Sequence, residues 1–415
     1  MRILFSCPSS HPALRWLAHG FIGLGHEVEF YTSFGMPSDQ KTPRYLPKFL
    51  AQELKRRRLP SNLTKRYVKN VTPIHDAIRV IAERKNILWL NLAIHDHMTH
   101  LVQSRVMKKI KKYGPPDLVV ATGSMNAQLA EYCYSHDIPL AIYLPQPVMG
   151  LVKKLDPSQA KKMLPQEKIN AAELLAATFF LASSTFIAES LRDAGLSQPI
   201  IRHPLGFDLG KETAGVHYKT DKNGPFKIIY VGRAGEQKGI PHLFRGIREI
   251  SKTEEVSLTV VSRDVGKMQD LAEMNHIDKI TTVLPAMHRS QLFELFRNHD
   301  VLILPSIFEG YGLVVVEALA NGLPVIATPL TAGSDLGISG KAGTIIQAGS
   351  SEAISSSIKE LIDNPKLLET YSENALNLTK NLGWENYAES TAKAFQLLLE
   401  DSSLENIDLG KVSIL

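Results

Sequence analysis

Short apolar runs rich in branched side chains alternate with stretches of helical spacing along most of this chain. Arg2-Ile3-Leu4-Phe5-Ser6 predicts a strand, Leu14, Leu17, Phe21 and Leu24 mark a helix after Pro12, and Glu27–Thr32 predicts a second strand. The same alternation returns at 117–121, 139–144, 179–184 and 200–208, then at 227–232, 257–262 and 279–284. Lys153 to Glu189 reads as largely helical, Gln291–Asn298 as a helix, and helical segments follow Pro365 as far as Leu399. The tail from Asp401 has no strong pattern. Strands alternating with helices predict an α/β protein with parallel sheets. At 415 residues the chain exceeds one ordinary core, so two domains of about 200 residues each are expected.

The stretch 300–328 organises the rest. Asp300–Leu304 and Pro324–Thr328 are buried-type strands, and Leu313–Asn321 between them reads as a helix stopped by Gly322 and Pro324. Gly310 and Gly312 form the first turn of this strand-helix-strand unit and let backbone approach a ligand closely. Such a turn presents N–H groups to a phosphate. Glu309 lies in the loop and Glu317 inside an otherwise apolar helix. A buried acid needs partners, and sugar hydroxyls would serve. Two loop and helix acids bonded to nearby backbone are the plainer alternative.

Charge changes the picture in one place. The net charge is +5, yet 41–112 holds 18 Lys and Arg against 4 Asp and Glu, a local +14. Within it Leu46, Phe49, Leu50 and Leu54 share a helical face beside Lys55-Arg56-Arg57-Arg58. An anionic membrane surface suits such an element, and a solvated face is the alternative. Nucleic acid is not expected, because aromatics are sparse there and no binding module is visible. Ile74–Tyr113 reads as one or two helices. Its His95, His97 and His100 do not share one helix face, so no metal site is expected. Cys7 and Cys133 provide no disulfide framework, no secretory signal is visible, and the 15 residues between Glu173 and Glu189 are too short and polar to span a bilayer. A cytoplasmic protein, peripheral at the inner membrane face, is expected.

Glu-Gly-Tyr-Gly-Leu-x3-Glu-Ala-x-Ala-x-Gly-x-Pro-Val closely resembles the donor-site signature of the family 4 retaining glycosyltransferases, the glycosyl transferases group 1, which have the GT-B fold. Gly232-Arg233-x4-Lys238-Gly239 matches the place where that family holds Arg and Lys against the donor diphosphate. The opening strand-helix-strand with Gly25-His26-Glu27-Val28 is also similar, and Trp384 and Tyr387 resemble the family's crossover back to the first domain. The resemblance implies two Rossmann-like domains facing across a cleft. Residues 1–208 would be the acceptor side with a basic helical insert at about 36–115, 209–225 the linker, 226–383 the nucleotide-sugar domain and 384–415 the crossover helix and tail. It implies a retaining transferase using a nucleotide sugar as substrate, with no cofactor and no metal, and a glycan or lipid-linked acceptor. Glu309, Arg233 and Lys238 would be catalytic. Glu317 would bind ribose, while Gly310, Tyr311, Gly312 and Leu313 would approach the donor.

Two departures stand against a full transfer of roles. A Gly-Gly pair commonly follows the family's first strand, whereas here the loop is Cys7-Pro8-Ser9-Ser10-His11-Pro12, with Ser9, Ser10 and His11 as candidate loop-lining residues. A Cys7–His11 nucleophilic pair is conceivable, but nothing else suggests a thiol enzyme. Thr122-Gly123-Ser124 and Pro145-Gln146-Pro147 stand where the family often has a His. A non-catalytic sugar-nucleotide-binding subunit, or an epimerase or hydrolase of sugar nucleotides, therefore remains as an alternative.

Overall fold

The computed structural model describes residues 1–40, 54, 57–84, 87–123, 126–148, 173–207, 224–401, 404, 407–409 and 412–415. Its strands are β1 Arg2–Ser6, β2 Glu27–Thr32, β3 Val68–Asn70, β4 Leu118–Thr122, β5 Leu140–Leu144, β6 Phe179–Ala182 and β7 Ile200–Arg202. They continue with β8 Phe226–Val231, β9 Val256–Ser262, β10 Thr281–Pro285, β11 Val301–Leu304, β12 Val325–Ala327, β13 Gly343–Ile345, β14 Ile407–Leu409 and β15 Val412–Ile414. They form two sheets, in the orders β14-β15-β7-β6-β5-β4-β1-β2-β3 and β10-β9-β8-β11-β12-β13. Every pairing is parallel except those of β14 and β15. β4, β5, β6 and β11 are buried at every position, which explains why they read as unbroken apolar runs rather than as alternation.

The two sheets are joined by more than the chain. Helix Trp384–Glu400 leaves the second sheet's layer and packs on helix Pro12–Gly23 of the first. Trp16 and Trp384 stack at 6.1 Å, and Gly20 lets the backbone of Ala388 approach so closely that a Cβ there would run into its carbonyl. The tail then adds β15 antiparallel to β7, with Arg202 donating to the Ser413 hydroxyl at 3.0 Å.

Several expectations change. The 33–116 stretch contains β3, which pairs with β2, besides two helices, Pro73–Arg84 and Leu88–Tyr113. The tail without a strong pattern forms two short strands, because sheet pairing rather than alternation holds them. The helix expected over 313–321 ends at Leu319, since the Leu323 N–H turns back to the Ala318 carbonyl and Gly322 takes φ +72°. The strand expected at 179–184 is present as β6, and the helix Thr185–Asp193 follows it. Most of the expected linker, residues 153–172 of the stretch expected to be largely helical and the Leu46/Phe49/Leu50 face lie outside the described residues.

Candidate active site

The carboxyl ends of the parallel strands in the two sheets face each other, where α/β proteins place ligands. The loop after β11 meets the loops after β5 and β6. Gly310 sits so tightly against the Pro145 carbonyl that any Cβ would collide with it, and the Ser184 and Ser183 hydroxyls donate to the Gly310 carbonyl at 3.3 and 3.5 Å. Beside this contact Asp335, buried, accepts from the Thr185 N–H at 2.8 Å and from its hydroxyl at 2.6 Å, and pairs with Arg202 at 3.3 Å. An acid from the second sheet's side thus caps a helix of the first.

Within the second sheet's edge, two loops interlock. Gly239, at φ +69°, lies under the Pro305 carbonyl with no room for a Cβ, and the Ile307 N–H donates to the Gln237 carbonyl at 2.8 Å. That holds Lys238 on Glu309 as an ion pair, and the Ser306 hydroxyl donates to the same Glu309 oxygen at 3.2 Å. Tyr230 stands behind them, its phenol pushed up by burial and by the Glu309 charge, donating to the Arg233 carbonyl at 3.0 Å. The expected Lys238 and Glu309 are therefore brought together. Arg233 is not part of that pair: its side chain is 76% exposed and reaches Asp264 at 3.7 Å.

Glu317 is half-buried rather than sealed in the helix, and it pairs with Arg289 at 3.3 Å. The buried acid expected from the apolar run has a cationic partner from the neighbouring helix Arg289–Arg297. Tyr311 is buried and its phenol is raised by that burial, while its carbonyl accepts from Ala332 N–H at 2.6 Å. Gly312 takes φ +83° immediately before Leu313, the first residue of the following helix.

The loop after β1 brings two neutral titratable groups together. Cys7 is buried, its thiol pushed up by desolvation, and it accepts from the His11 N–H at 3.1 Å and the Thr122 hydroxyl at 3.3 Å. His11 caps helix Pro12–Gly23, lies 4.8 Å from the Tyr143 ring, and is held down to about 4 by burial and by Arg15. An imidazole held neutral and a thiol held protonated do not form an activated nucleophile. Ser9 is exposed, and Ser10, at φ +52°, is buried.

Asp335 and Arg289 were not singled out in the sequence, because each finds its partner across a fold contact rather than along a local pattern. Among the described residues no group of three His, Cys, Asp or Glu side chains could hold a metal ion, and no helix is long and apolar enough to cross a membrane.

Residues 217–378 match the family model described as Glycosyl transferases group 1. The chain carries a group 1 glycosyltransferase domain. The capsular polysaccharide biosynthesis glycosyltransferase CapM of Staphylococcus aureus is 25% identical over 327 residues, 76% of this chain and 80% of that protein. Several other curated relatives are matched over 43% to 50% of their own length. Among solved structures, sucrose-phosphate synthase from Thermosynechococcus elongatus superposes with a TM-score of 0.67 at 16% identity, covering 96% of this chain and all of that one. HepE from Anabaena, solved in complex with UDP, gives 0.63 at 15%, with the same coverage. The chain has the GT-B fold.

Proposed function

We propose that this glycosyltransferase moves a sugar from a nucleotide-sugar donor to a glycan or lipid-linked acceptor, with retention at the anomeric carbon. The observation that carries the reading is the Lys238–Glu309 pair, held by two interlocked loops at the point where the two sheets' edges meet. Glu309 would bind the donor sugar hydroxyls and Lys238 the departing diphosphate, with the exposed Arg233 free to swing onto it. Glu317 would hold the ribose. The fold shared with HepE, which was solved with UDP, supports a nucleoside diphosphate in the second sheet's edge. Negative charge builds on the diphosphate as the sugar bond opens, and two cations can stabilise it without a metal.

The acceptor would lie against the first sheet. Helices Pro73–Arg84 and Leu88–Tyr113 expose Ile74, Ile78, Leu88, Trp89 and Leu92 amid the basic block. Apolar side chains with surrounding Lys and Arg suit an anionic lipid surface, so we place a peripheral membrane contact there.

The test incubates the protein with a panel of nucleotide sugars and with glycan and lipid-linked acceptors, following acceptor-dependent release of nucleoside diphosphate. Product stereochemistry is read by NMR. Transfer that persists in excess EDTA, with the donor's α or β configuration kept in the product, is the expected result. Loss in EDTA restored by magnesium or manganese would overturn the metal-free role of Lys238 and Arg233, and release of free sugar without transfer would favour a hydrolase.

A further inference from the structure

Arg289 stands where a cation is not expected. It is the first residue of the helix Arg289–Arg297, at the end where the helix dipole repels positive charge, and the capping there is already provided by His288 and Gln291. Something else must hold it. Its Nε lies 3.3 Å from a Glu317 carboxylate oxygen, and its guanidinium carbon lies 4.4 Å over the Phe207 ring and 5.0 Å over the Phe293 ring. A flat guanidinium seated on aromatic faces loses most of its rotational freedom, so it presents its N–H groups in a fixed direction.

Phe207 is not an ordinary shelf. It follows β7 in the first half of the chain, and it is buried. Its N–H donates to the Leu382 carbonyl at 2.7 Å, and it bridges Gly383, the residue before the helix that returns to the first sheet. The segment after β7 therefore meets the start of the returning helix at Phe207. Arg289 links that junction directly to Glu317.

We propose that Arg289 is a positioning residue of the donor site, fixing the Glu317 carboxylate for the ribose hydroxyls of a nucleoside diphosphate and tying occupation of that site, through Phe207, to the junction between the halves. This rests on Glu317 as the nucleotide-side acid. A carboxylate held beside a fixed guanidinium meets a vicinal diol in a set orientation, whereas a mobile carboxylate would have to be ordered by the ligand itself. Nucleotide bound there also restrains Arg289, and hence the ring on which it lies.

The test is calorimetry with UDP, GDP and ADP on the full chain, followed by the tightest binder on Arg289→Met, Arg289→Lys, Glu317→Gln and the Met/Gln double variant. Arg289→Met keeps length and packing over Phe207 and loses the charge, so it should weaken binding by about tenfold with melting temperature unchanged. Glu317→Gln should weaken it by a similar factor, and the double variant should be no weaker than the worse single one, since both act through one contact. Arg289→Lys, which keeps the charge and tests the role even if the Met variant folds poorly, should recover part of the loss. Hydrogen exchange of the Phe207 and Gly383 amides should slow on nucleotide saturation of the wild type and not of Arg289→Met. Wild-type affinity in Arg289→Met while Glu317→Gln is weakened would overturn this proposal and leave the functional reading intact. So would additive losses in the double variant, or equal losses with Lys and Met. Wild-type affinity in Glu317→Gln, or no binding of any of the three nucleotides, would overturn the assignment of Glu317 itself.

Discussion

The two facing edges of this GT-B fold are built from different materials. The second sheet's edge concentrates full charges in pairs, Lys238 with Glu309 and Arg289 with Glu317. Around the loop after β1 the first sheet's edge has Cys7, Ser10, His11, Thr122 and Tyr143, every one of them neutral near pH 7, with His11 held to about 4 and the Cys7 thiol raised by burial, while Arg202 on the same edge is committed to Asp335 and Glu173 accepts from the Asn126 N–H. Ion pairs at a partly exposed site add little stability, so two of them gathered on one edge are better explained by a ligand that carries charge. A neutral edge suits the uncharged hydroxyls of an acceptor. The contacts of Gly310 and Asp335 hold the two edges in register.

The largest effect is expected at Asp335, where the two edges are pinned. Its carboxylate is buried and serves Thr185 twice and Arg202 once. Asp335→Ala leaves a helix N-terminus and a guanidinium without their shared partner, which should cost about 3–5 kcal/mol in urea unfolding. A variant as stable as the wild type would mean that the other contacts, among them Gly310 on Pro145 and Trp16 on Trp384, suffice to hold the halves.

Glu309→Gln comes next, because it removes charge from the charged edge without changing shape. Nucleoside diphosphate affinity should hardly change while the transfer rate falls by about two orders of magnitude. Initial rates beside calorimetry decide it, and full activity would return Glu309 to a loop acid tethering Lys238. Gly310→Ala should do less. Its Cβ meets the Pro145 carbonyl, so the loop must retreat from the first sheet's edge. The expected result is roughly a tenfold loss in kcat/KM with an acceptor and little change in nucleotide binding, since only the approach of the two edges is disturbed.

Much of the charged edge was legible in the sequence, because a strand-turn-helix unit places Glu309, Gly310, Gly312 and Glu317 by local geometry alone. Lys238 could be put on the same edge only through the resemblance, since its approach to Glu309 depends on Gly239 sliding under Pro305. Arg233, assigned to the same task, turns instead to Asp264, where solvent competes for it. Asp335 and Arg289 were hidden for a different reason: their partners are 150 residues away at Thr185 and across two helices at Glu317. The buried parallel strands announced themselves by apolar runs, whereas β3, β14 and β15, of three residues each, were too short to show a period.

The smallest effect concerns pH and tests whether the first edge must stay neutral. Burial, then the nearby Arg15, holds His11 at about 4, below the 6.5 of an exposed imidazole. Between pH 6.5 and about 4 the unfolded chain therefore binds a proton that the folded chain refuses, and stability contributed by His11 is lost as pH falls through that window. His95, His242 and His299 are also depressed by burial and add to the same slope, so His11 accounts for a share of it. His11→Asn retains a side chain able to cap helix Pro12–Gly23 and cannot titrate. The drop in melting temperature from pH 7 to pH 4.5 should then be shallower than in the wild type, with nearly equal melting temperatures at pH 7. An unchanged slope would show that His11 meets its proton in the folded state, and the first edge would then carry charge like the second.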